Sequence, residues 1–258
     1  MKEVLKTAFY ELIDLTTLRR GIPRTYGGHK IRFPARYARY YQCDYQPDLF
    51  EFLKQNLKAG DTYWDCGAHL GLFSIFASRL VGPTGLVLAF EPTPSVRDVL
   101  EKMVLVNKAF NVIVRPEALS DRTGETVFYV IDNETSNANS LIKQARHSRG
   151  ITIHTSTIDD IASKLNVRVD LLKIDVEGAE FALLKGARGV IEAYRPLMFL
   201  GLHPMAIANS GATLSEVFDL LEEFRYRVIW NGQPMNRQSF SKQTELFDVE
   251  CWPAERSR

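Results

Sequence analysis

Apolar positions recur along this chain with two periods, and the period switches at short intervals. Residues 3–18 place Val4, Leu5, Ala8, Phe9, Leu12, Ile13 and Leu15 at helical spacing, so a helix packed on the domain is expected there. From residue 48 helical stretches alternate with short apolar runs. Helices are predicted over 48–58, 71–81, 95–108, 158–165, 180–186 and 213–224, with Pro94-Ser95 as a start signal for the third. Strands are predicted over 62–66, 86–90, 112–114, 126–130, 169–174, 196–202 and 226–230, the one at 126–130 short and at an edge.

Alternation of this kind argues for an α/β fold: a mostly parallel sheet with helices on both faces. No internal repeat is visible. The division expected is an N-terminal helix with a basic, aromatic extension over 1–44, then one α/β domain over 45–258. Residues 132–150 are polar, a mobile connector or a lid over a site.

Composition is that of an ordinary globular protein. A net charge of +1 supplies no global field for nucleic acid or a membrane surface. Three well-separated cysteines show no metal-ligand spacing and fit a reducing compartment. No apolar run is long enough to span a membrane, and residues 1–11 do not read as a signal peptide. A cytoplasmic protein is therefore expected. Residues 15–43 contain no acid, and Arg19, Arg20, Arg24, Lys30, Arg32, Arg36 and Arg39 are interleaved with tyrosines and phenylalanine. Two readings fit: a hairpin whose aromatics pack on the core, or a basic lip that receives an anionic or sugar-like substrate.

Chemistry concentrates at Asp65-Cys66-Gly67-Ala68-His69-Leu70-Gly71-Leu72-Phe73. A strand ends there, a glycine turn follows, and a helix begins. Glu91 closes the next strand, followed by Pro92. A glycine turn feeding a helix, with an acid after the next strand, is how α/β sheets hold a nucleoside. His69 stands where a dinucleotide fingerprint needs its middle glycine, and no Gly-x-x-x-x-Gly-Lys-Ser/Thr occurs. The form suits a ligand without a pyrophosphate, S-adenosylmethionine. Asp65 would accept from its ammonium group, and the helix N-terminus would face its carboxylate. Glu91 would accept from the ribose hydroxyls.

The block Asp170-Leu-Leu-Lys-Ile-Asp-Val-Glu-Gly-Ala-Glu180, together with Phe90-Glu91-Pro92, Ala118-Leu119-Ser120-Asp121 and Thr157-Ile158-Asp159-Asp160, resembles the FkbM family of S-adenosylmethionine-dependent methyltransferases over roughly 45–203. The resemblance implies a Rossmann-like, seven-stranded methyltransferase sheet. It also implies O-methylation of a hydroxyl on a sugar, polyketide or related metabolite. By position it implies cofactor contacts from Asp65, Gly67, Ala68, Gly71, Leu72, Phe73, Glu91, Pro92, Glu117, Ala118 and Asp175. Asp175 falls where the family's active site meets the methyl group. This chain departs from the family at Gln46 of Tyr45-Gln46-Pro47, at His69, and in having no acid before His203.

Strand ends form the crevice in such sheets, so Asp175, Glu177 and His203 are the candidate catalytic groups. Asp175 could instead cap the following helix. Glu177 could be a solvated first-turn acid, and Glu180 reads as one. His203 could be a satisfied strand-end histidine. Lys173, on a buried strand, is expected to pair with a carboxylate. His69 and Cys66 read as turn or packing residues. No metal is assigned, since nothing in the spacing demands one; one would require Asp175 and Glu177 to converge with another ligand. The expected partner is a small-molecule or glycan acceptor rather than nucleic acid: no Pro-Cys occurs, and Asp175-Val-Glu-Gly stands where adenine methylases carry Asn/Asp-Pro-Pro-Tyr/Phe. A binding module that keeps the pocket without the chemistry is the remaining alternative.

Overall fold

The computed structural model describes residues 2–17, 20–38, 41–43, 45–131, 139–142 and 148–256. Its main sheet has eight strands in the order Gln233–Pro234, Tyr226–Trp230, Phe247–Pro253, Leu197–Leu202, Leu171–Ile174, Thr62–Cys66, Leu86–Phe90, Val112–Arg115. The five strands from Leu197–Leu202 to Val112–Arg115 are parallel. Phe247–Pro253 runs antiparallel between Leu197–Leu202 and Tyr226–Trp230. The expected seven-stranded, mostly parallel sheet is thus corrected to an eight-stranded mixed one. The strand at 247–253 was not expected, although Phe247, Val249 and Cys251 alternate with Asp248 and Glu250 at the period of a strand.

Burial on both faces explains why the parallel strands read as unbroken apolar runs. Along Leu86–Phe90, Leu88 and Phe90 enter one core while Val87 and Ala89 enter the other. The first core holds the helices Ile158–Leu165, Arg188–Tyr194 and Leu214–Glu223 against the sheet, and the second holds Pro47–Asn56, Leu72–Val81 and Pro94–Val106.

The strand expected at 126–130 is an edge strand as expected, but of a separate sheet, and it is longer than expected. It spans Gly124–Ile131 and pairs antiparallel with Ser148–Ser156, which also pairs with Ala118–Leu119 in a separate three-stranded sheet. Residues 132–138 and 143–147 of the polar insertion lie outside the described residues. Asn139–Ile142 are described, and Ser140 bridges back to Tyr129.

The basic stretch forms a hairpin, Ile22–Tyr26 with His29–Phe33. Its Tyr26, Ile31 and Phe33 are fully buried in the second core, as the packing reading expects. Arg24 and Arg32 donate to the backbone carbonyls of Tyr41 and Gly21. Arg19 and Arg39 lie outside the described residues. The N-terminal helix spans Lys2–Thr16, tied in by Asp14 accepting from the Ala35 amide. Phe9, Leu12 and Leu15 remain exposed, so part of its apolar stripe is not packed as expected.

Candidate functional site

The C-terminal ends of the parallel strands open on a cavity of about 300 Å³. It lies where strand order reverses on either side of Thr62–Cys66, the place at which open α/β sheets bind ligands. Gly67, Ala68 and His69 reach it from the first strand end, Glu91, Pro92 and Thr93 from the second, and Glu117 and Ala118 from the third. Lys173, Asp175, Glu177 and His203 close the other side. Leu72 and Phe73 also line it.

The glycine turn is built for backbone crossing. Gly67 has φ +83°, and a Cβ there would stand 1.9 Å from the Asp175 carbonyl oxygen. The Gly67 and Ala68 amides donate to Phe90 O, and the Asp175 amide to Cys66 O. The turn therefore locks three strand ends together at the cavity mouth. Gly71 does not line the cavity. It precedes the helix Leu72–Val81 with φ +82°, and a Cβ on it would meet Leu100 Cδ1 at 2.1 Å. Helix packing by itself requires glycine there. Gly67→Ala should lose roughly 3 kcal/mol or more in urea unfolding, from overpacking added to backbone strain. Gly211→Ala, at φ +86° with open space around it, should lose only about 1 kcal/mol. Equal losses would contradict the crossing argument.

Glu91 is 6% exposed. Its Oε2 accepts from the His69 amide at 3.0 Å and its Oε1 from the Thr93 amide at 2.8 Å. Burial pushes its pKa up, and the two amides and Arg97 pull against that. Carboxylate oxygens take more than one donor each, so the fixed side chain keeps acceptor capacity toward the cavity. Glu117 is held by a forked contact from Arg115.

Three residues outside the expected cofactor set complete this half. Tyr41 bonds His69 Nδ1 through its hydroxyl, and both line the cavity. Gln46 lies in left-handed backbone, φ 43°, at the start of Pro47–Asn56, and its Oε1 is buried with no hydrogen-bond partner among the described residues. The boundary expected at residue 44 falls within this wall, since Tyr41 and Tyr45 both line the cavity.

Asp65 is placed differently from expectation. It is 1% exposed, lies outside the cavity lining, accepts from Ser74 Oγ at 2.6 Å and pairs with Lys173 Nζ at 3.1 Å. Lys173 also donates to Gly67 O at 2.9 Å and faces Asp175 at 3.6 Å. Burial alone would lower the Lys173 pKa, but Asp65 and Asp175 outweigh it and hold the ammonium charged. The expected pairing of Lys173 is thereby found, and Asp65 acts on the site through it.

The last group gathers around His203. Its Nδ1 meets Glu180 Oε1 at 2.7 Å, and its Nε2 stands 3.4 Å from Glu177 Oε1 and 3.6 Å from Asp175 Oδ1. Burial pushes the imidazole pKa down, but Glu177 and Glu180 prevail and lift it to about 10. Glu180 is not the solvated acid expected: it is 0% exposed and also accepts from the Gly178 amide. Nor does Asp175 cap the helix Glu180–Lys185, whose N-cap is Ala179 without a side-chain bond.

Asp248 was missed because its strand was missed. It pairs in register with Gly201, and a Cβ on Gly201 would lie 3.1 Å from Asp248 Oδ1 and 3.4 Å from Asp175 Cγ. The glycine leaves room for two carboxylates side by side. Burial, then the charge of Asp175, raises the Asp248 pKa to about 6.

The family description "Methyltransferase FkbM domain" matches residues 65–228, and the chain belongs to this family of methyltransferases. It is 29% identical over 161 residues to methyltransferase sdnD of Sordaria araneosa, covering 51% of this chain and 62% of that one. It is 26% identical over 141 residues to methyltransferase 1 of Beauveria bassiana, covering 47% and 56%. The match thus spans under two thirds of either relative. A solved methyltransferase FkbM from Methylobacillus flagellatus KT superposes with TM-score 0.49 at 15% identity, covering 78% of this chain and 50% of that one.

Proposed function

We propose that this chain is an S-adenosylmethionine-dependent O-methyltransferase acting on a hydroxyl of a small molecule or glycan, such as a sugar, polyketide or lipid-linked saccharide. The observation that carries the reading is one cavity with a rigid buried carboxylate, Glu91, at one end and the Asp175–Glu177–His203 group at the other. In the α/β arrangement the Glu91 carboxylate would hold the ribose hydroxyls, and Glu117 and Ala118 would lie beside the adenine. The orphaned Gln46 Oε1 fits an ammonium donor, the group expected near the Gly67–His69 turn. Gln46 would thus take the contact first given to Asp65, whose carboxylate is already engaged by Lys173 and Ser74. Residues 45–258 form the transferase unit in this reading, with Tyr41 of the 1–44 segment joining its cavity wall.

Bound S-adenosylmethionine supplies an electrophilic methyl group on a sulfonium. The chain must orient a hydroxyl toward it, exclude water and take up the hydroxyl proton. Phe73, Phe90, Phe128 and Leu141 give the cavity apolar walls. Holding two reactants in line can contribute roughly 7–11 kcal/mol in favourable cases. For the proton, His203 is a poor base because it already carries one at neutral pH. Asp175 is the better base, held in place by Lys173 at 3.6 Å. The three cysteines are free thiols, which goes with the cytoplasmic location proposed. No described helix is long and apolar enough to cross a membrane.

Methyl-tritiated cofactor, incubated with the protein and pools of hydroxylated sugars, lipids, polyketides and nucleic acids, tests the acceptor class. Label is expected in a hydroxylated metabolite fraction. Label in nucleic acid would contradict the acceptor assignment, and cofactor binding with no transfer to any pool would favour a binding module.

A further inference from the structure

The group around His203 has features that methyl transfer alone does not require. Asp175, Glu177 and His203 each offer one ligand atom, and these atoms lie within 4.8 Å of one another. His203 Nε2 stands 3.4 and 3.6 Å from its two carboxylate neighbours. Metal bonds of about 2.0–2.2 Å set neighbouring ligands roughly 3.0–3.4 Å apart in octahedral or tetrahedral geometry. Slight inward movement of the three side chains gives that spacing.

The surroundings are arranged toward the same point. Glu180, fully buried, fixes the imidazole through Nδ1, so that Nε2 is the atom turned to Asp175 and Glu177. A carboxylate behind a histidine is the usual outer partner of a histidine ligand. Among the described residues Glu180 Oε2 has no hydrogen-bond partner, and the bonds of this buried carboxylate go from Oε1 to His203 and the Gly178 amide. The loop that carries Glu177 is pinned by Ser140 Oγ donating to the Glu177 carbonyl at 2.6 Å. Asp65, Asp175, Glu177, Glu180 and Asp248 gather around Lys173 and His203, an excess of acid that a bound dication would relieve.

We propose that Asp175, Glu177 and His203 form a binding site for one divalent cation at the acceptor end of the cavity. The mixed oxygen and imidazole donor set suits a first-row transition dication, with Mn²⁺ as its hard-ligand representative, better than Mg²⁺, which prefers oxygen alone. The Nε2 proton leaves to solvent as the cation enters, since only neutral imidazole ligates. Resting on the O-methyltransferase reading, the cation would orient the acceptor hydroxyl and favour its alkoxide.

Mn²⁺ alone is the probe, titrated into the full chain without cofactor or acceptor and followed by loss of the free-ion electron paramagnetic resonance signal. One site per chain is expected. Glu177→Gln should weaken it more than about 10-fold, and Glu180→Gln by about 10–100-fold without touching the ion. Thermal melts run in parallel, and Asp175→Asn is read in the same titration if Glu177→Gln does not fold. No Mn²⁺ uptake by wild type, or equal uptake by wild type and folded variants, overturns the site. A wild-type protein that binds S-adenosylhomocysteine but takes up no Mn²⁺ overturns the site and leaves the methyl-donor reading; one that takes up Mn²⁺ but binds no S-adenosylhomocysteine does the reverse.

Discussion

Asp175→Asn is expected to lower methyl transfer by about 10²–10⁴-fold while S-adenosylhomocysteine affinity stays within about threefold. The carboxamide keeps the volume and one acceptor oxygen but cannot take up a proton. The effect should be confined to turnover because the carboxylate faces Lys173 and His203 at the acceptor end, whereas Glu91 and Gln46 line the other end. The backbone of residue 175 would hold as before, since its amide and carbonyl are fixed by the crossing at Cys66 and Gly67. Quenched-flow or steady-state transfer, paired with calorimetry, separates the two effects. Equal loss of cofactor affinity and turnover would move Asp175 from proton transfer to cofactor binding.

Lys173→Met is expected to destabilise the fold by roughly 3–5 kcal/mol in urea unfolding. Met fills the path of the lysine stem, so the loss is electrostatic rather than a cavity. The ammonium is 4% exposed and meets Asp65, Asp175 and the Gly67 carbonyl. Its removal leaves Asp65, itself 1% exposed, as an uncompensated buried charge. Asp65→Asn in the Lys173→Met background should recover a large part of the loss, because the orphaned charge is gone. If the two losses simply add in the double variant, the pair is not what holds the site.

The parallel core was legible because its strands are buried on both faces and read as apolar runs. Thr62–Cys66 and Leu86–Phe90 stand where the pattern put them, as does Tyr226–Trp230 outside the parallel core. The strand Ser148–Ser156 was not legible, since one face of it is wet and its Ile151 and Ile153 are separated by threonine. The Phe247–Pro253 strand alternates at the period of a strand, but its antiparallel pairing with Leu197–Leu202, which sets Asp248 beside Asp175, is decided by distant residues. Glu91, Asp175 and the turn at Gly67 stand at the ends of parallel strands, where α/β sheets gather ligands, and all three reach one cavity. Chain position alone does not tell that the Asp65 carboxylate pairs with Lys173 or that Gly71 abuts Leu100. The burial of Glu180 was hidden in the same way, because a helix dipole favours an acid at that position whether it is wet or paired with His203.

The central claim is that this cavity holds S-adenosylmethionine through Glu91. Calorimetric titration of wild type and Glu91→Ala with S-adenosylhomocysteine tests it most directly. Wild type should bind, and the variant should bind about 100-fold more weakly, a loss of about 2.7 kcal/mol of the kind expected for hydrogen bonds to a buried carboxylate. Absence of binding to wild type, or the same affinity in both proteins, would contradict the account.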